Sequence, residues 1–450
     1  MKKDILKTRS NEIEYTSGQL EALAKVKAFL DNPEETFFLL AGYSGTGKTT
    51  IAENIIGYKR GSIAAPTNAA VNRLKSKINM PFNDHGTIHK ILFSPTDDNG
   101  KFRKDKSFVY GELYIIDECS MIDKYILDII IKDAIEKKNK IIFMGDSYQL
   151  EPVGKNPHIF KWENSYPEFF KDYNRYELTE VRRYDGDLLK IATDLRSRKD
   201  SSFKKFETDE FNEVMKFSTN LVKDLTTGKN FVVITSTNSA RVMYNKKLRQ
   251  YKYRNDDTDL KVVQKDDILV SVSNSNYYAN GEIISSAGLS LLEKFTIQVP
   301  MDIEVDDWKS YECLLYKKRT FENLKPVTKM ILVIPELLEP TFNGPTIVTS
   351  VKHSKTILSP MVKSILIFSW YNKLKMQNEM SFNRDVSIAT YGYAISGHKA
   401  QGQEWDNVYI DGQWMSDKWD TGKWYYTAIT RAKKKVEVKV NPYLHIVEED

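Results

Sequence analysis

Short, unbroken apolar runs organise this chain, each followed by a turn and then by apolar positions at helical spacing. Phe37-Phe38-Leu39-Leu40-Ala41 reads as a strand buried on both faces, and Thr49 to Ile56 as the start of a helix. Ahead of that strand, Thr16-Ser17-Gly18-Gln19 opens a helix whose Leu20, Leu23, Val26, Phe29 and Leu30 are expected on one face. The Thr16/Gln19 spacing is that of a capping box. The pattern returns at Ser62-Ile63-Ala64-Ala65, followed by a helix with Val71, Leu74 and Ile78 in step. It returns again at Leu113–Ile116, at Ile141–Met144 and at Phe231–Thr235, the last running into a helix from Asn238 to near Gln250. Strands alternating with helices predict an α/β fold of parallel sheets flanked by helices.

Two stretches break the pattern. Ser94-Pro95-Thr96-Asp97-Asp98-Asn99-Gly100 is rich in turn residues, and Lys101-Phe102-Arg103-Lys104 is basic around one aromatic. The simplest reading is a surface hairpin; such a hairpin could also stack on nucleic-acid bases. From about Ile268 to Ser381 the chain is β-branched and aromatic, with turn signals at Asn280-Gly281 and Asn343-Gly344-Pro345, and reads as a β-rich insertion. No phosphate-binding or metal-ligand spacing occurs there. The α/β elements are expected to resume at Val386–Tyr391 and to close with the strand Val408-Tyr409-Ile410, the helix Trp424–Arg431 and the strand Val436-Glu437-Val438.

Length and composition narrow the class. A chain of 450 residues is too long for one core and suggests about two to four domains. The charged N-terminus lacks the apolar core of a signal peptide, and no run approaches the ~18 apolar residues of a membrane span. Two cysteines, Cys119 and Cys313, offer no zinc spacing, so a reducing cytoplasm is expected. A net charge of +5 is compatible with a polyanionic partner without requiring one.

The chemistry concentrates in Gly42-Tyr43-Ser44-Gly45-Thr46-Gly47-Lys48-Thr49, which fits G-x-x-x-x-G-K-[ST] at every position and lies between strand and helix. Gly42, Gly45, Thr46 and Gly47 shape a loop whose N–H groups face phosphate oxygens, with Thr50 in the first helical turn. Lys48 reaches the β- and γ-phosphates, and Thr49 is placed to ligand Mg²⁺. Asp117-Glu118 ends an apolar strand, where Asp117 suits Mg²⁺ and Glu118 suits activation of the attacking water. Gln149 has the position to sense a γ-phosphate. Gln19 reads equally as a helix cap or an adenine contact, and His89 as a capping or core histidine or as a functional one.

In this order the motifs resemble the superfamily 1 helicases, specifically the RecD-like branch with its Dda-like members. The stretches that carry the resemblance are the phosphate loop, Ile115–Met121, Gly145–Val153, Gly397–Gly402 and Tyr426–Ala432, and matches extend from Gln19 to Arg431. The resemblance implies two RecA-like domains with ATP in the cleft between them. It makes Gln19 the adenine-recognising residue and gives Arg183, rather than Arg182, and Arg431 the role of reaching the γ-phosphate from the second domain. Pro66, Thr67, Asn68, Thr87, His89, His398 and Lys399 then correspond to single-strand contacts. The basic hairpin corresponds to the pin that splits the duplex, with Phe102 its wedge, and the β-rich insertion to an SH3-like domain.

The boundaries that follow are 1–92 and 112–180 for the first RecA-like domain, 93–111 for the pin, 181–285 and 382–450 for the second RecA-like domain, and 286–381 for the SH3-like domain. The implied activity is an ATP- and Mg²⁺-dependent DNA helicase moving 5′→3′ on single-stranded DNA, acting as a monomer at single-strand/duplex junctions, with replication or recombination proteins as possible partners and no membrane. Gly397 stands where relatives usually carry Thr, so no hydroxyl–phosphate contact is carried over there. Glu151 stands where relatives often carry Pro or Arg. The competing readings are a strand-stimulated ATPase that displaces proteins without unwinding, and a binding protein with a vestigial site. A small-molecule kinase would leave the second series of motifs unexplained.

Overall fold

The computed structural model describes residues 14–79, 81–95, 102–150, 162–163, 166–167, 173–183, 186–197, 210–254, 260, 262–271, 278, 281–302, 307–322, 325–333, 386–412 and 421–439. Glu151, the hairpin tip at 96–101 and the turn at Asn343–Pro345 lie outside them. The chain packs as two compact units: Met1–Lys205 with Gln401–Asp406 and Ser416–Val436, and Phe206–Ala400 with Asn407–Met415 and Glu437–Asp450.

In the first unit the chain runs α1 (Ser17–Asp31), β1 (Phe37–Gly42), α2 (Lys48–Tyr58), β2 (Ser62–Ala65), α3 (Asn68–Lys77), β3 (His85–Thr87) and α4 (Ile88–Leu92). It continues through the short strands β4 (Ser94–Pro95) and β5 (Phe102–Arg103) to β6 (Leu113–Ile116), α5 (Lys124–Glu136) and β7 (Lys140–Gly145). The pair β8 (Trp162–Glu163) and β9 (Tyr166–Pro167), then β10 (Asn174–Leu178) and α6 (Gly186–Ser197), follow.

Six strands form a parallel sheet in the order β10-β1-β7-β6-β2-β3. Strand side chains alternate between faces. Phe38, Leu40, Ile63, Ile115 and Ile142 accordingly pack with Leu23, Ile55 and Leu74 of α1, α2 and α3. Phe37, Leu39, Tyr114, Ile116 and Phe143 pack with Leu92 and Ile130 of α4 and α5. Two cores, one on each face, are why the runs are apolar without interruption. On α1 the buried face is Gln19, Ala22, Leu23, Val26, Phe29 and Leu30, whereas Leu20, expected inside, is 44% exposed. The 3.6-residue repeat from Leu23 and Val26 turns position 19 inward and position 20 out. The short strands β4 and β5 pair antiparallel.

The second unit holds α7 (Glu210–Thr226), β11 (Phe231–Thr235), α8 (Asn238–Lys252), β12 (Ile268–Ser271), β13 (Ile283–Ser285), β14 (Leu289–Asp302), β15 (Asp307–Glu322), β16 (Lys325–Val333), β17 (Val386–Tyr391), β18 (Ala394–Ser396) and α9 (Gly397–Ala400). Then come β19 (Trp405–Asp411), α10 (Thr421–Ile429), which belongs to the first unit, and β20 (Ala432–Lys439). The strands β18-β11-β19-β20 form a second sheet, with β11 parallel to both β18 and β19. Thr237 caps α8 by accepting from Ala240 N–H at 3.2 Å, as Thr67 caps α3 by accepting from Ala70 N–H at 3.2 Å. The strand–turn–helix unit is thus repeated in detail.

Two expectations change. Val386–Tyr391 does not join the parallel sheet: β17 pairs antiparallel with β12 and parallel with β16 in a mixed sheet, β13-β12-β17-β16-β15-β14. Alternate residues Leu314, Tyr316, Ile331, Val333, Ala389 and Tyr391 bury there with Val233, Leu248 and Tyr409. The described β-rich strands therefore share a core with the parallel sheet, and no break falls at 285/286. Secondly, the first unit does not end at residue 180. It includes α6 and takes back 401–406 and 416–436, because α10 packs on α6 and the Tyr426 hydroxyl donates to Asp146 at 2.7 Å. Among the described residues no helix is long and apolar enough to cross a membrane.

Candidate active site

All of the expected nucleotide residues lie in the first unit. The loop leaves β1 at Gly42 and enters α2 at Lys48. Gly45 and Gly47 both have φ of +86°, the left-handed region that favours glycine. A Cβ at Gly47 would also come within 2.4 Å of Gln19 Nε2. Thr46 Oγ1 donates back to the Tyr43 carbonyl at 2.9 Å, closing the turn. Lys48 Nζ donates to the carbonyls of Gly42 (2.6 Å) and Tyr43 (3.0 Å). Burial pushes its pKa down, against the pull of Asp146, Asp117 and Glu118. The loop, with Thr49 and Thr50, lines a cavity of about 260 Å³.

Asp117 and Glu118 follow β6 into the same cavity, 2% and 4% exposed. Glu118 is non-glycine yet has φ +51° and ψ +41°, a backbone conformation that persists only where surrounding structure holds it. Arg73 of α3 holds both carboxylates from one nitrogen: Nη2 donates to Asp117 Oδ2 at 2.7 Å and to Glu118 Oε1 at 2.9 Å. Although burial opposes it, the two carboxylates raise the guanidinium pKa well above its ordinary value. No cluster of three or more His, Cys, Asp or Glu able to hold a metal occurs among the described residues. The Thr49 hydroxyl and the Asp117 carboxylate nevertheless form an oxygen-only donor pair beside the phosphate loop, which suits a hard cation that keeps phosphate and water ligands.

Gln149, Arg183 and Arg431 reach the cavity too. Ser44 Oγ accepts from Arg183 Nη1 at 3.1 Å and from Arg431 Nη2 at 3.3 Å. Arg431 Nε donates to the Thr427 carbonyl at 3.0 Å, while its Nη1 is buried with no hydrogen-bond partner among the described residues. Burial lowers its pKa, with Glu118 opposing. Gln149 Oε1 is likewise buried without a partner among the described residues. Arg183 also pairs with Glu404 at 2.9 Å. Both arginines, expected from the second domain, pack within the first unit.

Gln19 joins the start of α1 to the phosphate loop. Its Oε1 accepts from Thr16 N–H at 3.0 Å, completing the capping box, and its Nε2 donates to the Thr46 carbonyl at 2.9 Å. One amide N–H is thus given to the phosphate loop and one lone pair of the amide oxygen to the helix cap.

The expected nucleic-acid contacts fall at strand ends. Ala65 pairs with Thr87, so Pro66-Thr67-Asn68 and Thr87-His89 leave the C-terminal edge of one sheet side by side. The Thr67 and Thr87 hydroxyls accept from Ala70 and Lys90 N–H groups, each capping a helix. His89 stacks on Phe93 with centroids 5.5 Å apart, and burial lowers its pKa. In the second unit His398 and Lys399 follow β18 from the matching edge of its sheet. Burial lowers the His398 pKa, and burial with the Arg241 charge takes Lys399 down to about 7. Phe102 lies on β5, and its side chain is outside the described residues.

Sequence reasoning assigned no role to four residues that structure the site. Besides Arg73 they are Asp146, Arg196 and Tyr426. Asp146 is fully buried and ion-paired to Arg196, which also donates to Ser147 Oγ and Glu177 Oε1 at 2.9 Å each and stacks over the Tyr43 ring at 4.0 Å. Asp146 and Tyr426 lie in quoted motif stretches; nothing local marks Arg73 or Arg196.

The AAA domain family matches residues 26–155, and the UvrD-like helicase C-terminal domain family matches residues 391–438. The chain is 34% identical over 202 residues to the ATP-dependent DNA helicase dda of Enterobacteria phage T4, covering 41% of this chain and 43% of the relative. It is 33% identical over 172 residues to the RecBCD enzyme subunit RecD of Buchnera aphidicola subsp. Schizaphis graminum, covering 33% of this chain and 28% of that one. The chain thus spans less than half the length of either. A Pif1 helicase structure, described as a basis for DNA unwinding at forked duplex DNA by two coordinating copies, matches with TM-score 0.50 and 16% identity over 95% of this chain and 92% of that one. That likeness bears on the fold, a helicase fold with two RecA-like domains. On motif order, site geometry and these matches together, the chain is similar to the dda and RecD helicases and carries matches to the AAA domain and UvrD-like helicase C-terminal domain families.

Proposed function

We propose that this chain is an ATP-dependent DNA helicase that moves along single-stranded DNA and separates duplex strands. The observation that carries the reading is Arg431, which lines the cavity with Lys48 and the Asp117–Glu118 pair and whose buried Nη1 has no hydrogen-bond partner among the described residues. A buried guanidinium nitrogen without an acceptor is costly, and a phosphoryl anion supplies the missing one. Lys48 and the loop N–H groups hold the β- and γ-phosphates, Arg183 and Arg431 neutralise charge on the γ-oxygens, and Gln149 orients toward them. Glu118, held off the ordinary backbone regions, takes the proton of the attacking water. Thr49 and Asp117 would hold Mg²⁺, which supplies charge neutralisation at the phosphates.

Pro66, Thr67, Asn68, Thr87, His89, His398 and Lys399 contact the strand through phosphate and stacking interactions, so affinity is sequence-tolerant and falls with salt. The family resemblance supports 5′→3′ movement, a pin at residues 93–111 with Phe102 as wedge, and an SH3-like character for the β-rich segment. The test is ATP-driven unwinding of duplexes carrying either a 5′ or a 3′ single-stranded tail. Opening of the 5′-tailed substrate alone is expected. Opening only the 3′-tailed one overturns the polarity, and opening neither, with strand-stimulated hydrolysis intact, makes the protein a translocase that does not unwind.

A further inference from the structure

Arg73 connects two parts of the first unit that the function requires to communicate. Its helix α3 begins at Asn68, directly after Pro66-Thr67, and is capped by Thr67. Asn68 and Arg73 are five residues apart, about 7.5 Å of helix. At the other end of that lever the Arg73 guanidinium donates to Asp117 at 2.7 Å and to Glu118 at 2.9 Å. Among the described residues it donates to nothing else, and its Nε is buried without a partner. The strand under the lever reinforces the link, because Asp117 N–H donates to the Ala64 carbonyl at 2.9 Å, immediately before the turn into α3.

Two neighbouring buried carboxylates repel each other, and the guanidinium sets where both can sit. Both bonds come from a single nitrogen, so a helix shift of well under an ångström lengthens one or both beyond charge-assisted range. A short helix cannot absorb such a shift along its length.

We propose that Arg73 is the positioning residue through which a single strand held at Pro66–Asn68 sets the placement of Asp117 and Glu118, and thereby the extent to which that strand stimulates ATP hydrolysis. This rests on the strand contact proposed above. Coupling of this kind is reciprocal: the strand must alter nucleotide affinity by the same factor as nucleotide alters strand affinity.

The experiment uses the full chain and two readouts. The first is the ratio of ATP hydrolysis rates with and without oligo-dT. The second is the affinity for a fluorescent ADP in EDTA, without metal or turnover, at zero and saturating oligo-dT. Wild type is expected to show a coupling factor of about 5-fold or more. In Arg73→Gln both the rate ratio and the coupling factor should fall to within about 2-fold of unity, while oligo-dT affinity without nucleotide stays within about 3-fold of wild type. A merely structural role would weaken binding and leave the coupling ratio. Arg73→Gln retaining wild-type ratios overturns the proposal, as does an equal loss of both rates. Should Arg73→Gln not fold, Arg73→Lys is read instead: a reduced ratio supports the proposal and an unchanged one overturns it. Wild type showing no stimulation by oligo-dT overturns the strand reading itself, a different result from a stimulated wild type with an unaffected variant.

Discussion

The Tyr426 hydroxyl donates to Asp146 Oδ2 at 2.7 Å and accepts from the Ser44 N–H at 3.1 Å, so one phenol ties the phosphate loop to the end of β7. Tyr426 lies on α10, more than 380 residues along the chain from Ser44, and its ring meets Tyr148 edge-on at 5.3 Å. The phosphate loop is therefore braced by α10 as well as by the turn that precedes α2.

Tyr426→Phe keeps the ring and removes the bridge, leaving a buried N–H and one carboxylate lone pair without that partner. The expected cost is about 1–3 kcal/mol in a urea unfolding midpoint, together with a raised KM for ATP. Unchanged stability would show that the phenol is incidental.

Lys48→Ala removes the only loop side chain that carries charge to the phosphates. ATP hydrolysis measured by phosphate release in the presence of oligo-dT should fall by about 10²–10³-fold. Retention of wild-type turnover would refute the site.

Gln19→Ala should act through the loop. Because the amide is spent on Thr16 and Thr46, its loss is expected to raise KM for ATP and for GTP alike and to cost about 1 kcal/mol of stability through the lost cap. A variant that loses ATP preference while GTP turnover is unchanged would instead place the amide at the base.

Glu404 makes stability depend on pH. Burial alone would raise its pKa, but Arg183, then Lys77, Arg73 and Lys433, pull it down to about 2 from an ordinary 4.5. A carboxyl whose folded pKa lies below its unfolded value stabilises the fold at pH above the unfolded value and loses that contribution as pH falls through the folded one. Stability should therefore drop between about pH 4.5 and 2, by on the order of 3 kcal/mol. Glu404→Gln should flatten that part of the urea-midpoint profile; an identical acid limb in the variant would assign the loss to other carboxylates.

What can be read along the chain is what local physics constrains. Gly45 and Gly47 announce left-handed backbone, the unbroken run at Phe37–Ala41 announces a strand covered on both faces, and Asp117-Glu118 at a strand end announces carboxylates at a sheet edge. These follow from φ preferences and the two-residue period, which need no distant partner. Only the tertiary structure shows that Gln19 is both cap and brace, since Thr46 reaches it across 27 residues, or that β17 leaves the parallel sheet for a mixed one. The same holds for Arg73 and Arg196. Nothing in the spacing of 66 basic residues says which two are buried against Asp117, Glu118 and Asp146. Burial and charge pairing are properties of the packed interior, set by which elements the parallel sheet brings together, and so they appear only once the chain is folded.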